Sequence, residues 1–128
     1  MSAITNYLAN KLRDHTLANT AYTSPTTVYL ALFTTPTTSA GGGTEVTGGT
    51  YARQVITFDD YGNDGYAEQD IDTVFTDMPT CTVTHVAIMD HISNATNMLL
   101  HGALPTQQSV TAADNLTLPS ATVRFLFD

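Results

Sequence analysis

The stretch "THVAIMDHISNATNMLLHGAL" (84–104) gathers His85, Asp90, His91 and His101, side chains that elsewhere bind metals or move protons. A catalytic or structural zinc needs about three ligands converging on one point, each oriented by a further partner. Here the four residues lie in and between two apolar runs. Side chains alternate along a strand, so if the first run stays extended through all three, His85 and His91 fall on the face opposite Asp90. Asp90 is better placed as the first residue of a turn, where Asp bonds nearby backbone. The stretch therefore reads as a hairpin with polar edges, and no catalytic or metal-binding residue is assigned to it.

A second polar cluster, "DDYGNDGYAEQDID" (59–72), is denser in oxygen ligands. Asp60, Asp64 and Gly65 match positions one, five and six of an EF-hand loop, but Gly62 and Ile71 stand where an oxygen ligand and a bidentate Glu are needed. The flanks alternate as strands do, so an EF-hand is rejected. Two readings stay open: a looser calcium site, or a solvated loop in which Asn-Asp-Gly makes the turn. Other chemistries lack their signatures. No Gly-x-Ser-x-Gly elbow is present. The "AGGGTEVTGG" segment (40–49) has no Lys-Ser or Lys-Thr to complete a phosphate loop. Carboxylates cluster only in the acidic loop, away from an apolar pocket that would raise one pKa. The chain is expected not to be an enzyme and to need no cofactor.

The elements around these residues point to a β-rich protein. Of the 128 residues, 42% are apolar and only 12% charged, about half the usual charged share. Threonine fills the gap, and it favours strands and turns over helix interiors. By length the chain is one domain, residues 1–128. Net charge is −8, and the four cations Lys11, Arg13, Arg53 and Arg124 are scattered. That distribution argues against binding nucleic acid or an anionic membrane. Cys81 is alone, so no intrachain disulfide forms, and its strand-like setting predicts a small buried side chain. No apolar run is long enough to span a bilayer, and the N-terminus lacks signal-peptide order. Synthesis in a cytoplasm is expected.

One good helix is predicted over 2–19, capped by Ser2, with Ile4, Tyr7, Leu8 and Leu12 on one face. From residue 28 onward the pattern is strands. "VYLALF" (28–33) is apolar throughout, as in a strand buried on both faces. "TTPTTSAGGGTEVTGG" (34–49) is a long polar loop, of the kind that is functional or mobile. "TYARQVITF" (50–58), "DIDTVFT" (70–76), "CTVTHVAIMD" (81–90), "NMLLHGAL" (97–104) and the C-terminal "NLTLPSATVRFLFD" (115–128) supply the rest. The expected fold is an antiparallel β-sandwich of about seven strands over 28–128, with one N-terminal α-helix. Alternation places Leu30, Leu32, Ile56, Phe58, Val86, Ile88, Leu100, Phe125 and Phe127 in the core.

The segments "SAITNYLANKLRDHTLANTAYTSPTTVYLALFTT", "EVTGGTYARQVITF" and "THVAIMD…LLHGAL" resemble the small virion proteins of tailed bacteriophages. These are often labelled tail-fibre proteins, and several related small β-proteins are head decoration or cement proteins. The resemblance covers most of the chain and is most specific in the N-terminal third; the acidic segment 59–72 departs from it. It implies a non-enzymatic structural subunit of the virion. A fibre shaft needs repeats or heptads, which the chain lacks, so a capsid decoration subunit clamping the major capsid protein on the outer shell is the expected role. The alternative is a tail or tail-fibre component that recognises the host surface, with Tyr61 and Tyr66 as its aromatic candidates. Strands apolar on both faces call for a second cover, from the helix or a neighbouring copy. A homo-oligomer, specifically a trimer, is expected, with Ile4, Tyr7, Leu8 and Leu12 as the contact face.

Overall fold

The computed structural model describes residues 3–60, 65–93 and 97–126. Ten strand segments and one helix lie among them, and every strand pairing is antiparallel. The largest sheet has five strands in the order β1 (Ala3–Ile4), β8 (Met98–Val110), β7 (Cys81–Met89), β2 (Val28–Phe33), β3 (Gln54–Ile56). A three-stranded sheet orders β10 (Arg124–Leu126), β5 (Tyr66–Gln69) and β4 (Phe58–Asp60), and β6 (Thr73–Met78) pairs with β9 (Asp114–Leu118). The expected mainly β, antiparallel fold with one N-terminal helix is what forms. There are more strands than the seven predicted because two runs break between sheets and because Ala3–Ile4 and Tyr66–Gln69, read as helix and acidic loop, are extended. "TYARQVITF" divides at Thr57, whose carbonyl accepts from the Asp70 amide at 3.2 Å and whose hydroxyl donates to the Asp70 carboxylate. The C-terminal run divides at Pro119–Val123 into β9 and β10.

Alternation in the central strands works as the sequence predicts. Leu30, Leu32, Val86, Ile88 and Leu100 share the inner face of the five-stranded sheet and are all buried. They form one cluster with Ile56, with Phe75, Leu116 and Leu118 of the β6–β9 pair, and with Phe125 of β10. Phe58 is partly buried against this cluster, and Phe127 lies outside the described residues. Burying this apolar surface is the main term that favours the fold. One polar side chain belongs to the core. Gln69 is 1% exposed; its Nε2 donates to Thr73 Oγ1 at 2.8 Å and to the Leu118 carbonyl at 3.0 Å, and its Oε1 accepts from the Val123 amide at 3.2 Å. Full satisfaction is what makes a buried amide tolerable, and this one joins β5, β6, β9 and the residue just ahead of β10.

The helix α1 spans Asn6–Leu17, shorter at both ends than 2–19. Ala3–Ile4 is extended instead and pairs with His101 and Leu100. Thr5 is the N-cap: its hydroxyl accepts from the Leu8 amide at 3.3 Å and donates to the carbonyls of Met98 and Leu99. The predicted cap, Ser2, lies outside the described residues.

The outer face of the five-stranded sheet carries Ala31, Phe33, Ala87, Met89 and Met98, buried as a second cluster. Its cover comes largely from the chain itself. The 34–49 segment, expected as functional or mobile, folds back over this face. Thr34 donates to the Thr44 carbonyl and Val46 to the Leu32 carbonyl, both at 2.9 Å, and Asn6 at the helix start donates to Ser39 at 2.9 Å. Gly43 is needed there: its φ is +108°, and a Cβ would sit 3.0 Å from the Phe33 ring and 3.1 Å from the Pro36 carbonyl, a conformation open to glycine and strained for other residues. The two-sided strands are thus covered without a neighbouring subunit.

Strain also sits at two alanines. Ala113 (φ +71°) and Ala121 (φ +69°) adopt the left-handed conformation while their amides donate to the Met78 and Gln69 carbonyls at 2.9 Å. A left-handed L-residue costs about 1–2 kcal/mol, partly offset by the extra freedom glycine has when unfolded. Each of Ala113→Gly and Ala121→Gly is therefore expected to raise stability by about 0.5–1 kcal/mol, read from urea denaturation midpoints. An unchanged or lower midpoint for both would contradict the strain.

Candidate functional site

The residues singled out for chemistry are placed apart and bonded into structure. Strand β7 ends at Met89, so Asp90 opens the turn. Its carboxylate accepts from the Asn97 amide at 3.1 Å and the Asn97 side chain at 3.0 Å, closing the hairpin. His91 Nδ1 accepts from the Ser93 amide at 3.2 Å. His85 and His101 lie on the outer sheet face, His85 opposite Phe33 and His101 opposite Ala87. Their Nδ1 atoms contact Thr84 Oγ1 at 2.8 Å and Thr37 Oγ1 at 2.9 Å. Among the described residues no three His, Cys, Asp or Glu side chains gather at a metal-sized site. In the acidic segment, residues 61–64, and Tyr61 with them, lie outside the described residues. Asp70 and Asp72 accept bonds from the Thr57 hydroxyl and the Ser120 amide. The Tyr66 ring is stacked under the Arg124 guanidinium at 3.7 Å. Cys81 is half-buried, not fully as expected, and burial raises its thiol pKa.

The helix face proposed as a contact is divided by its own packing. Leu8 is buried and Tyr7 packs on the core, whereas Ile4 and Leu12 stay 36% and 37% exposed. Between the helix start and the 39–43 loop lies a cleft of about 420 Å³. Thr5, Asn6 and Tyr7 form one wall, Ser39, Ala40, Gly41 and Gly43 the other, and Phe33, Met89 and Met98 line its apolar part.

Glu45 and Arg53 also line this cleft, and sequence reading missed their pairing. Arg53 Nε and Nη2 donate to the two Glu45 oxygens, each at 2.9 Å, and Nη1 donates to the His91 carbonyl at 2.9 Å. The Tyr51 hydroxyl donates to Glu45 at 2.8 Å and accepts from the Leu32 amide at 2.9 Å. Planar bidentate pairing of this kind is what a guanidinium does best. The Glu45 carboxylate bonded to it raises the Arg53 pKa, and burial pushes the Tyr51 hydroxyl far above its usual value. Both therefore hold fixed charge states across the physiological range. The unit ties the loop, the sheet and the β7–β8 turn together. The only sequence signal for it was an opposite-charge pair eight residues apart in a chain with few cations.

These features define a small, mainly antiparallel β-protein whose flagged polar residues bond its own turns and loops. A family model described as podophage GP4 fiber I protein gp80 matches residues 3–125. The chain belongs to that family, a phage fibre-type structural protein of the virion. No curated protein matches it. Among the described residues no helix is long and apolar enough to cross a membrane.

Proposed function

We propose that the protein is a non-enzymatic fibre component of the phage virion that takes part in attachment to the host surface. The observation that carries this reading is the fibre description of a family spanning residues 3–125. The fold supports a globular unit at one end of a fibre better than a shaft, because its three sheets share one core and carry no axial repeat. Ile4 and Leu12, each more than a third exposed beside the buried Leu8, are the side chains we assign to the contact with a neighbouring virion subunit, whether another copy or a different protein.

The second reading, a decoration subunit clamped on the major capsid protein, is favoured by the same lack of a shaft repeat. One experiment separates the two. Gold labelling of a tagged subunit on intact particles is expected to mark the tail in a few copies, and particles lacking the protein are expected to hold their DNA on heating yet fail to adsorb. Labelling over the whole shell, with DNA lost from deletion particles at lower temperature, would replace the fibre reading with the decoration reading.

A further inference from the structure

The loop over the outer sheet face is held at its middle by one buried polar contact. Thr37 and His101 are 9% and 8% exposed, and Thr37 Oγ1 lies 2.9 Å from His101 Nδ1. The other ring nitrogen, Nε2, is buried with no hydrogen-bond partner among the described residues. A neutral imidazole can leave one acceptor nitrogen bare at modest cost. An imidazolium has two N–H donors, and one of them would be buried without an acceptor.

The surroundings give a positive charge on His101 no help. On β7 the nearest titratable group on this face is His85, one diagonal step away in the register and another potential cation. The β1 residue opposite is Ala3, and the next β8 residue on this face is Ala103. Helix α1 carries Lys11 over the Tyr7 ring and Arg13 paired with Asp14. The loop's own carboxylate, Glu45, is held by Arg53. Among the described residues no carboxylate forms an ion pair with His101.

We propose that His101 is an acid-sensitive latch: neutral, it holds Thr37 and the 35–43 loop over the sheet, and protonation lifts that loop and bares Phe33, Met89 and Met98. The ends of the loop stay fixed, by β2 on one side and by the Glu45–Arg53 pair on the other, so the motion is local. Burial first, and His85 second, lower the His101 pKa below its ordinary 6.5. The sign follows. A base whose closed-state pKa is depressed adds stability that is present above pH 6.5 and lost as pH falls below it. An opening that frees His101 to protonate at its ordinary value becomes more favourable as pH falls from 7.5 to 5.0, by at most about 30-fold.

Hydrogen exchange on the intact protein tests this through the amide of Asn6, which donates to Ser39 of the loop, with the amide of Thr34, bonded to the Thr44 carbonyl at the fixed base of the loop, as an internal control. The Asn6 protection factor, corrected for the intrinsic pH effect, is expected to fall from pH 7.5 to 5.0 by up to about 30-fold while that of Thr34 holds, with hydrophobic-dye binding rising over the same range. His101→Asn keeps a group at the Nδ1 position but cannot take the charge, and is expected to remove the pH dependence. Unchanged wild-type protection at pH 5.0 would overturn the latch. So would acid opening that persists in His101→Asn, or that disappears in His85→Gln alone. Should His101→Asn fail to fold, an NMR titration of wild-type His101 decides: a midpoint at or above 6.5, or one unrelated to the Asn6 amide, rejects the proposal.

Discussion

Replacing Phe125 with alanine is expected to lower the unfolding free energy by about 3–5 kcal/mol. Phe125 is fully buried and meets the Phe58 ring edge-on, with centroids 6.4 Å apart at 63°. Its strand, β10, pairs with β5 from Arg124↔Glu68 to Leu126↔Tyr66. Truncation opens a cavity where the three-stranded sheet meets the inner face of the large sheet, and strand ends held by backbone bonds cannot collapse to fill it. Total stability for a domain of this size is about 5–15 kcal/mol, so the variant should melt roughly 10–20 °C lower. Val55→Ala is the control. Val55 is 49% exposed on an edge strand, and its truncation should change stability by no more than about 0.5 kcal/mol. Equal melting of Phe125→Ala and wild type would mean that β10 is not a core strand.

Much of the core could be read from alternation, because a side-chain period of two leaves its mark wherever one face is buried. Leu30, Leu32, Ile56, Val86, Ile88, Leu100 and Phe125 were found that way. Phe75, Leu116 and Leu118 also belong to the core, though their neighbours along the chain are aspartate, asparagine and threonine. In "DIDTVFT" the alternation itself holds from Thr73 on, with Thr73 and Phe75 buried, but Ile71 ahead of the strand is 52% exposed. Composition cannot show that a buried threonine is made tolerable by Gln69, a partner four residues away.

The candidate site was less legible. The hairpin at 84–104 followed from turn chemistry, and Asp90 does open it, though it bonds Asn97 across the turn. The helix start moved because Ala3–Ile4 found a strand partner 96 or more residues away in β8, a long-range pairing that outweighs local helix propensity. The packing of the 34–49 loop was the least legible part. Glycines and threonines without periodicity look unstructured, yet Val46 and Thr37 are both buried. What orders such a loop is a few specific bonds to distant residues, and their geometry leaves no pattern along the chain.

Arg53→Ala tests the strongest of those bonds. Arg53 is 9% exposed and its three donor nitrogens all bond within the protein, two of them to Glu45 and one to the His91 carbonyl. Removing one member of a fully buried pair costs about 3–5 kcal/mol, because the other charge is left uncompensated. Glu45 keeps 25% of its side-chain exposure, so water screens part of the loss and about 2–3 kcal/mol is expected. The effect should be local as well as global: the 34–53 segment should become sensitive to protease at concentrations that leave β7 and β8 intact. Arg53→Lys keeps the charge but not the planar fork, and should recover less than half of the loss. Pairing Arg53→Met with Glu45→Leu removes both charges, so the double variant should be more stable than Arg53→Ala even though it lacks the ion pair. A double variant as unstable as the sum of its single changes would show that the two side chains act independently, contrary to the bidentate contact between them.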